Sequence, residues 1–226
     1  MILLTGGTWG PDGLDRLEHG ALTGLTKDDF LIILGDCGVM APRVDREAVV
    51  RCYRALPCSV LYLDGSRDDY DTLSDYPSFR WNGGLMQVVS RGILHLMRGQ
   101  VFRLGGKMFF VAGGAATLGR SESDKYWDWW PEQDPGPADW EAAETALNAC
   151  GRQVDYVLSC DCPVRWRAEV AVCDPTAAES PSEASRWLDG LEPTINYRHW
   201  FFGNYAADTE VAGGRAQCVC RQVVRL

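Results

Sequence analysis

The stretch Phe30-Leu31-Ile32-Ile33-Leu34-Gly35-Asp36-Cys37-Gly38 decides how the fold is read: an unbroken apolar run, then an acid set between glycines. A strand with one wet face alternates apolar and polar residues. A continuous apolar run fits a strand buried on both faces, as in parallel sheets covered by helices. Toward the N-terminus, Met1 to Thr5 repeats the pattern and ends at Gly6-Gly7. Toward the C-terminus, Ser59 to Leu63 repeats it and ends at Asp64-Gly65-Ser66-Arg67. Between these runs, Gly13 to Gly20 predicts a short helix closed by glycine. Arg46 to Leu56 predicts another, with Val49, Cys52, Tyr53 and Leu56 at i, i+3, i+4 and i+7. Strand, helix, strand, helix, strand predicts a partly parallel sheet with helices on its outer face.

Further along, Leu85–Ser90, Ile93–Met97, Val101–Leu104 and Met108–Val111 are short apolar runs separated by glycine-rich turns, and predict an antiparallel meander. Ser121 to Pro137 reads as a long ordered loop carrying Trp127, Trp129 and Trp130. Asp139 is placed to cap a helix reaching Cys150, with Trp140, Ala143 and Leu147 on one face. A strand at Tyr156–Ser159, a helix at Glu183–Leu191, a strand at Trp200–Gly203 and a last strand at Gln217–Leu226 complete the chain. No linker divides residues 1–226, which read as one domain.

Composition narrows the function. The 226 residues carry 31 acidic and 22 basic side chains, a net charge of −9. Nucleic acid is therefore not an expected partner, since phosphate backbone needs clustered Lys and Arg. No apolar run approaches the roughly 18 residues that span a bilayer, so no membrane is expected. The opening run lacks the basic flank and length of a secretory signal, which predicts a cytoplasmic protein. Nine scattered cysteines then read as buried thiols rather than a disulfide framework. Three histidines are too few for a histidine-rich metal centre.

In open α/β sheets, ligands sit at the carboxyl ends of the strands. Those ends are Thr5-Gly6-Gly7-Thr8-Trp9-Gly10, Gly35-Asp36-Cys37-Gly38, Asp64-Gly65-Ser66-Arg67, Ser159-Cys160-Asp161-Cys162-Pro163 and Gly203-Asn204-Tyr205-Ala206. Their order and spacing resemble the calcineurin-like metallophosphoesterase superfamily, in particular its small bacterial members. The segments Trp81-Asn82-Gly83-Gly84, Trp129-Trp130-Pro131-Glu132 and His199-Trp200-Phe201-Phe202-Gly203 resemble that subgroup too. The resemblance implies an α/β fold with mixed sheets, a four-layer αββα sandwich of the metallophosphoesterase type, with its site at the loop ends. It also implies that the site has degenerated. Asp36 matches the carboxylate that bridges two metals, but Gly7, Trp9, Ser66, Arg67, Cys160, Asn204 and Ala206 stand where other site residues, several of them histidines, are expected. Two-metal hydrolysis needs two well-ligated cations about 3.5–4 Å apart. Asp36 alone cannot hold them, and Arg67 would repel a cation.

The reading is thus a pseudoenzyme, non-catalytic and without cofactor, that binds a phosphorylated ligand or a protein partner in the old cleft. The cleft is lined by Trp9, Asp36, Ser66, Arg67, Cys160 and Asn204. The alternative is a phosphomonoester or phosphodiester hydrolase with one divalent metal weakly bound at Asp36, helped by Cys160, Asp161 and Asn204. Arg67 either forms an anion pocket with backbone N–H groups or makes a plain ion pair with Asp36. The ion pair is the default. Cys160-x-Cys162 and Cys218-x-Cys220 lack the usual zinc spacing. Cys160 and Arg165 lack the spacing of a thiolate phosphatase. The tryptophans at 127, 129 and 130 read as a packed loop. Asp64, Asp68, Asp69, Asp71 and Asp75 read as a solvated acidic loop.

Overall fold

Short runs of Leu, Ile and Val form the centre of the molecule. The computed structural model describes residues 1–14, 19–117 and 125–226. Strands Ile2–Thr5 (β1), Phe30–Ile33 (β2) and Ser59–Tyr62 (β3) lie side by side in parallel, with Leu3 opposite Leu31 and Leu31 opposite Val60. Helices Pro11–Leu14 (α1), Arg46–Ala55 (α2) and Tyr70–Ser74 (α3) connect or follow them. The predicted helix from Gly13 to Gly20 is described only at its ends, because residues 15–18 lie outside the described residues.

Strands Ser78–Trp81 (β4), Gly84–Ser90 (β5) and Ile93–Leu96 (β6) form two antiparallel pairs, and β6 then joins β3 in parallel. Gln100–Leu104 (β7) and Lys107–Ala112 (β8) pair with each other in a second sheet. That sheet continues through Tyr156–Ser159 (β9), His199–Phe202 (β10), Thr209–Val211 (β11) and Ala216–Cys218 (β12). Val224–Arg225 (β13) returns to the first sheet beside β1. The orders are β13-β1-β2-β3-β6-β5-β4 and β11-β12-β10-β9-β8-β7, each mixing parallel and antiparallel pairs. Helices Pro137–Ala149 (α4), Arg167–Val170 (α5) and Glu183–Leu191 (α6) accompany the second sheet.

Alternation along each strand sorts the core into three parts. Leu4, Ile32 and Leu61 face Phe109, Val111 and Leu158 between the two sheets. Leu3, Leu31, Ile33 and Val60 point the other way and pack on Val49 and Tyr53 of α2 and Leu73 of α3. Phe110, Val157, Trp200 and Phe202 pack on Ala143 and Leu147 of α4 and Leu188 and Leu191 of α6. Both faces of the central strands are buried, which is why their sequences are apolar without a break. Cap residues fix where the helices begin. The Asp45 carboxylate accepts the Ala48 N–H at 3.0 Å, and the Ser182 hydroxyl accepts the Ser185 N–H at 2.8 Å.

Three expectations need correction. The single meander is two hairpins in different sheets. Phe109 to Ala112 is buried on both faces, a demand that a one-sided meander does not make and that parallel pairing with β9 meets. The stretch Gln217–Leu226 is not one strand: it leaves the second sheet after Cys218 and enters the first at Val224. Trp140 is exposed, while Ala143 and Leu147 on the same helix are buried. Among the described residues no helix is long and apolar enough to cross a membrane.

Candidate functional site

Loops at the carboxyl ends of the parallel strands converge where the two sheets lie against each other. A Cβ at Gly35 would stand 2.3 Å from the Cys160 Sγ, so only glycine lets the loop after β2 approach the loop after β9 this closely. Asp36 follows in the left-handed region with φ 47°, as does Trp9 with φ 55°. Such backbone is strained for side-chain-bearing residues and persists only where its surroundings hold it. Here the Trp9 N–H donates to the Asp36 carbonyl at 3.0 Å.

The Asp36 carboxylate is buried and fully engaged. Oδ2 accepts the Ser66 hydroxyl at 3.1 Å and Oδ1 accepts the Arg67 backbone N–H at 3.0 Å. Burial pushes its pKa up, partly opposed by these hydrogen bonds. The expected Asp36–Arg67 ion pair is not what forms. Arg67 meets Asp36 through its backbone, and its exposed guanidinium lies over the Trp9 ring, 5.8 Å from the centroid. Because the carboxylate is satisfied by neutral donors, the guanidinium stays at the surface, where water and the ring face solvate it. Trp9 is itself 47% exposed.

The acidic loop is solvated only in part: Asp71 and Asp75 are exposed and Asp69 is half-buried, but, contrary to expectation, Asp64 and Asp68 are buried. Asp64 Oδ1 accepts from His95 Nε2 at 3.0 Å, and Oδ2 accepts from the Tyr70 hydroxyl at 3.0 Å and from Arg98. The Gln87 amide nitrogen donates to the Leu73 and Tyr76 carbonyls at 3.0 and 2.8 Å, so its oxygen faces His95 Nδ1, 2.8 Å away. Both ring nitrogens of His95 thus lie within hydrogen-bond distance of a side-chain oxygen, which fixes the ring between Gln87 and Asp64. Burial alone would raise the Asp64 carboxyl, yet the charges of Arg98 and then His95 hold it well below the usual carboxylate range. The Asp64 carbonyl also accepts the Gly114 N–H at 2.9 Å, tying this loop to the end of β8.

Asp68 Oδ2 accepts the Gly65 N–H at 2.7 Å, while Oδ1 has no partner among the described residues. Burial, and then the nearby Asp36 charge, raise the Asp68 pKa far above its ordinary value. Folding therefore raises proton affinity at Asp68, and stability contributed here falls as pH rises from about 4 upward. Asp68→Asn is expected to remove that slope and to gain ~1–3 kcal/mol at neutral pH, the usual cost of an unsatisfied buried polar group. Urea midpoints measured from pH 5 to 8 check this. Parallel curves for variant and wild type would count against it.

The fourth and fifth loops contribute less. Cys160 is fully buried, and burial followed by the Asp36 charge pushes its thiol up, so it is neither a nucleophile nor an exposed ligand. Asp161 is saturated by the Cys162 N–H at 2.7 Å and the hydroxyls of Tyr205 and Ser182, each at 2.6 Å. Asn204, in the left-handed region with φ 68°, is half-buried and makes no side-chain hydrogen bond among the described residues. The Gly203 N–H donates to the Cys160 carbonyl at 3.1 Å, which sets Asn204 beside that loop.

Trp9, Asp36, Ser66 and Arg67 thus come together, with Asn204 on the adjoining loop and Cys160 beneath. Donor chemistry here suits a cation poorly. Both Asp36 oxygens already accept from the protein, and among the described residues no three His, Cys, Asp or Glu side chains stand together as a metal-ligand group. Cys162 and Cys218 lie in the apolar core, with thiols raised by burial. Of the tryptophans, Trp129 and Trp130 are packed and Trp127 is exposed, its ring 4.7 Å from the Arg43 guanidinium; residues 121–124 of that loop lie outside the described residues. Sequence reasoning passed over His95, Arg98 and Tyr70. Their common signal was an unexplained charge density in and after Asp64-Gly65-Ser66-Arg67.

No family model matches the chain, and no curated protein matches it. Among solved structures, a phosphopantetheinyl hydrolase (PptH) from Mycobacterium tuberculosis is similar over 97% of this chain and 89% of that one, at 15% identity and a TM-score of 0.41. Similarity this low assigns no family. The resemblance to calcineurin-like metallophosphoesterases is accordingly withdrawn. It rested on the order and spacing of the strand-end loops, on connecting segments such as Trp129-Trp130-Pro131-Glu132, and on Asp36 alone among the expected ligands. What stands is an α/β chain with two mixed sheets and its helices.

Proposed function

We propose that the chain is a non-catalytic binding protein for a phosphorylated small molecule, held at the strand-end mouth by Trp9, Ser66, Arg67 and Asn204. We read the two sheets with their flanking helices as a four-layer αββα sandwich, an arrangement that leaves this mouth open at one end. One observation carries the functional reading: the Arg67 guanidinium is exposed on the Trp9 ring while the neighbouring carboxylate is satisfied by other donors. In a chain of net charge −9, a guanidinium at converging loop ends with no carboxylate partner among the described residues is a place for an anion. The Trp9 face adds a plate for a planar group such as a base. The Asn204 amide, without a side-chain hydrogen bond among the described residues, supplies a further donor.

Inorganic phosphate, a nucleotide and a simple phosphoester, tested in turn, are expected to raise the melting temperature of wild type for at least one of them. Arg67→Ala should abolish that rise while melting normally without ligand. No shift across the whole panel would sink the proposal. Generic phosphomonoesters and phosphodiesters, with and without manganese, should show no turnover. Turnover that Asp36→Asn removes would replace this reading with a phosphoesterase using a single metal at Asp36.

A further inference from the structure

Beside α4 the two sheets meet along a seam. The Arg103 N–H donates to the Asn82 carbonyl at 2.7 Å, and the Leu85 N–H to Gln100 Oε1 at 3.2 Å, so the β4–β5 hairpin lies against β7. Helix α4 borders the same seam with Ala142 and Ala146 where larger side chains would close it. A cavity of about 550 Å³ remains between them. Small-molecule sites typically run to ~300–1,000 Å³. Leu85, Val101 and Met108 add to the apolar part of its lining.

Arg80 and Arg103 line the same cavity. Arg80 gives one N–H to the Gly83 carbonyl at 3.4 Å, and among the described residues neither guanidinium has a carboxylate partner. Glu141 is the carboxylate in the lining and pairs with neither. None of the strand-end residues reaches this cavity. Two unpaired guanidinium groups in a partly apolar lining, in an acidic chain, select for a ligand that is apolar at one end and negative at the other.

We propose that this groove binds a small amphipathic anion, its chain against Met108 and the α4 alanines and its carboxylate or phosphate head between Arg80 and Arg103. Decanoate, decyl phosphate and decanol, titrated calorimetrically below their micellar range, test it. Saturable one-to-one binding is expected for one or both anions, and the stronger of the two identifies the head group. Decanol should bind at least about tenfold more weakly. Arg103→Glu should weaken the anions by at least about tenfold, and so should Ala146→Phe, which fills the groove and keeps both charges. Arg67→Ala should leave binding unchanged, which separates this site from the strand-end mouth. If Ala146→Phe lowers the melting temperature, Arg103→Glu, at an exposed position, decides by itself. The proposal is overturned by absence of saturable heat with both anions, by binding that Arg103→Glu does not weaken, or by binding that Arg67→Ala removes.

Discussion

Asp64→Ala is expected to lower stability by about 3–5 kcal/mol, the range for breaking a buried charge pair by removing one partner. The carboxylate is the shared acceptor for Arg98, His95 and Tyr70, all themselves buried. Its removal leaves the buried Arg98 guanidinium without the negative charge beside it, and His95 Nε2 and the Tyr70 hydroxyl without that acceptor. Arg98 would keep its bond to the Tyr70 hydroxyl at 3.0 Å but, of its carboxylate partners, the longer contact with Asp139 at 3.7 Å. Urea denaturation at pH 7 checks the magnitude, and a loss under about 1 kcal/mol would show that water reaches this cluster. The pH dependence has a defined sign. Folding depresses the Asp64 pKa, so its contribution is fully present above the ordinary value of 3.8 and disappears as pH falls below it. Wild type and variant should therefore converge only in strong acid. Adding Arg98→Met to Asp64→Ala should recover part of the loss, since an apolar replacement of the pair leaves less stranded charge.

Gly65→Ala should be nearly as damaging, for a steric reason. A Cβ at that position would stand 2.3 Å from the Asp36 backbone nitrogen and 2.4 Å from its Oδ1. The backbone atom cannot swing aside, so the loop after β3 must move away from the loop after β2. That motion breaks the bonds from Ser66 and from the Arg67 N–H to Asp36. Expected results are a destabilisation of about 3 kcal/mol, at the upper end for overpacking, and complete loss of the phosphate-induced rise in melting temperature. Gly190→Ala is the control. A Cβ there meets nothing within 4 Å, and the site lies inside helix α6, where alanine is favoured by ~0.5–1 kcal/mol. Equal melting temperatures for the two variants would refute the steric account.

The central strands and helix α2 were legible because their causes are local. Runs such as Phe30–Leu34 have to be buried on both faces, and Val49 and Tyr53 recur at helical spacing on the buried face of α2. Asp139, read as a helix cap, lies instead in the first turn of α4 behind its N-cap Gly136. Sheet membership was not legible. Whether Val101 to Leu104 continues one sheet or opens another depends on partners such as β9, which lies far along the chain. The converging loops of the candidate site followed from strand order, but the directions of their side chains did not. Asp36 and Arg67 carry opposite charges at loop ends, and pairing them was the natural default. Ser66 and one backbone N–H displaced that pair, and backbone donors leave no trace in sequence. The Asp64 cluster was hidden in a different way. Acids in a run are usually solvated, and the partners that bury this one lie 31 and 34 positions away.

The path of the chain between the sheets also sets how the molecule assembles. It passes from the first sheet to the second after β6, and comes back only after β12, to place Val224 and Arg225 against Leu4 and Leu3. Strand β1 therefore has an open edge until nearly every other element exists. Such distant pairing must be paid for in loop-closure entropy before any contact rewards it, which slows folding. The open edge of β1 is meanwhile available to other chains. The two sheets share one apolar layer and are laced together by the same thread, so neither can leave without the other, and unfolding should proceed as one event rather than sheet by sheet.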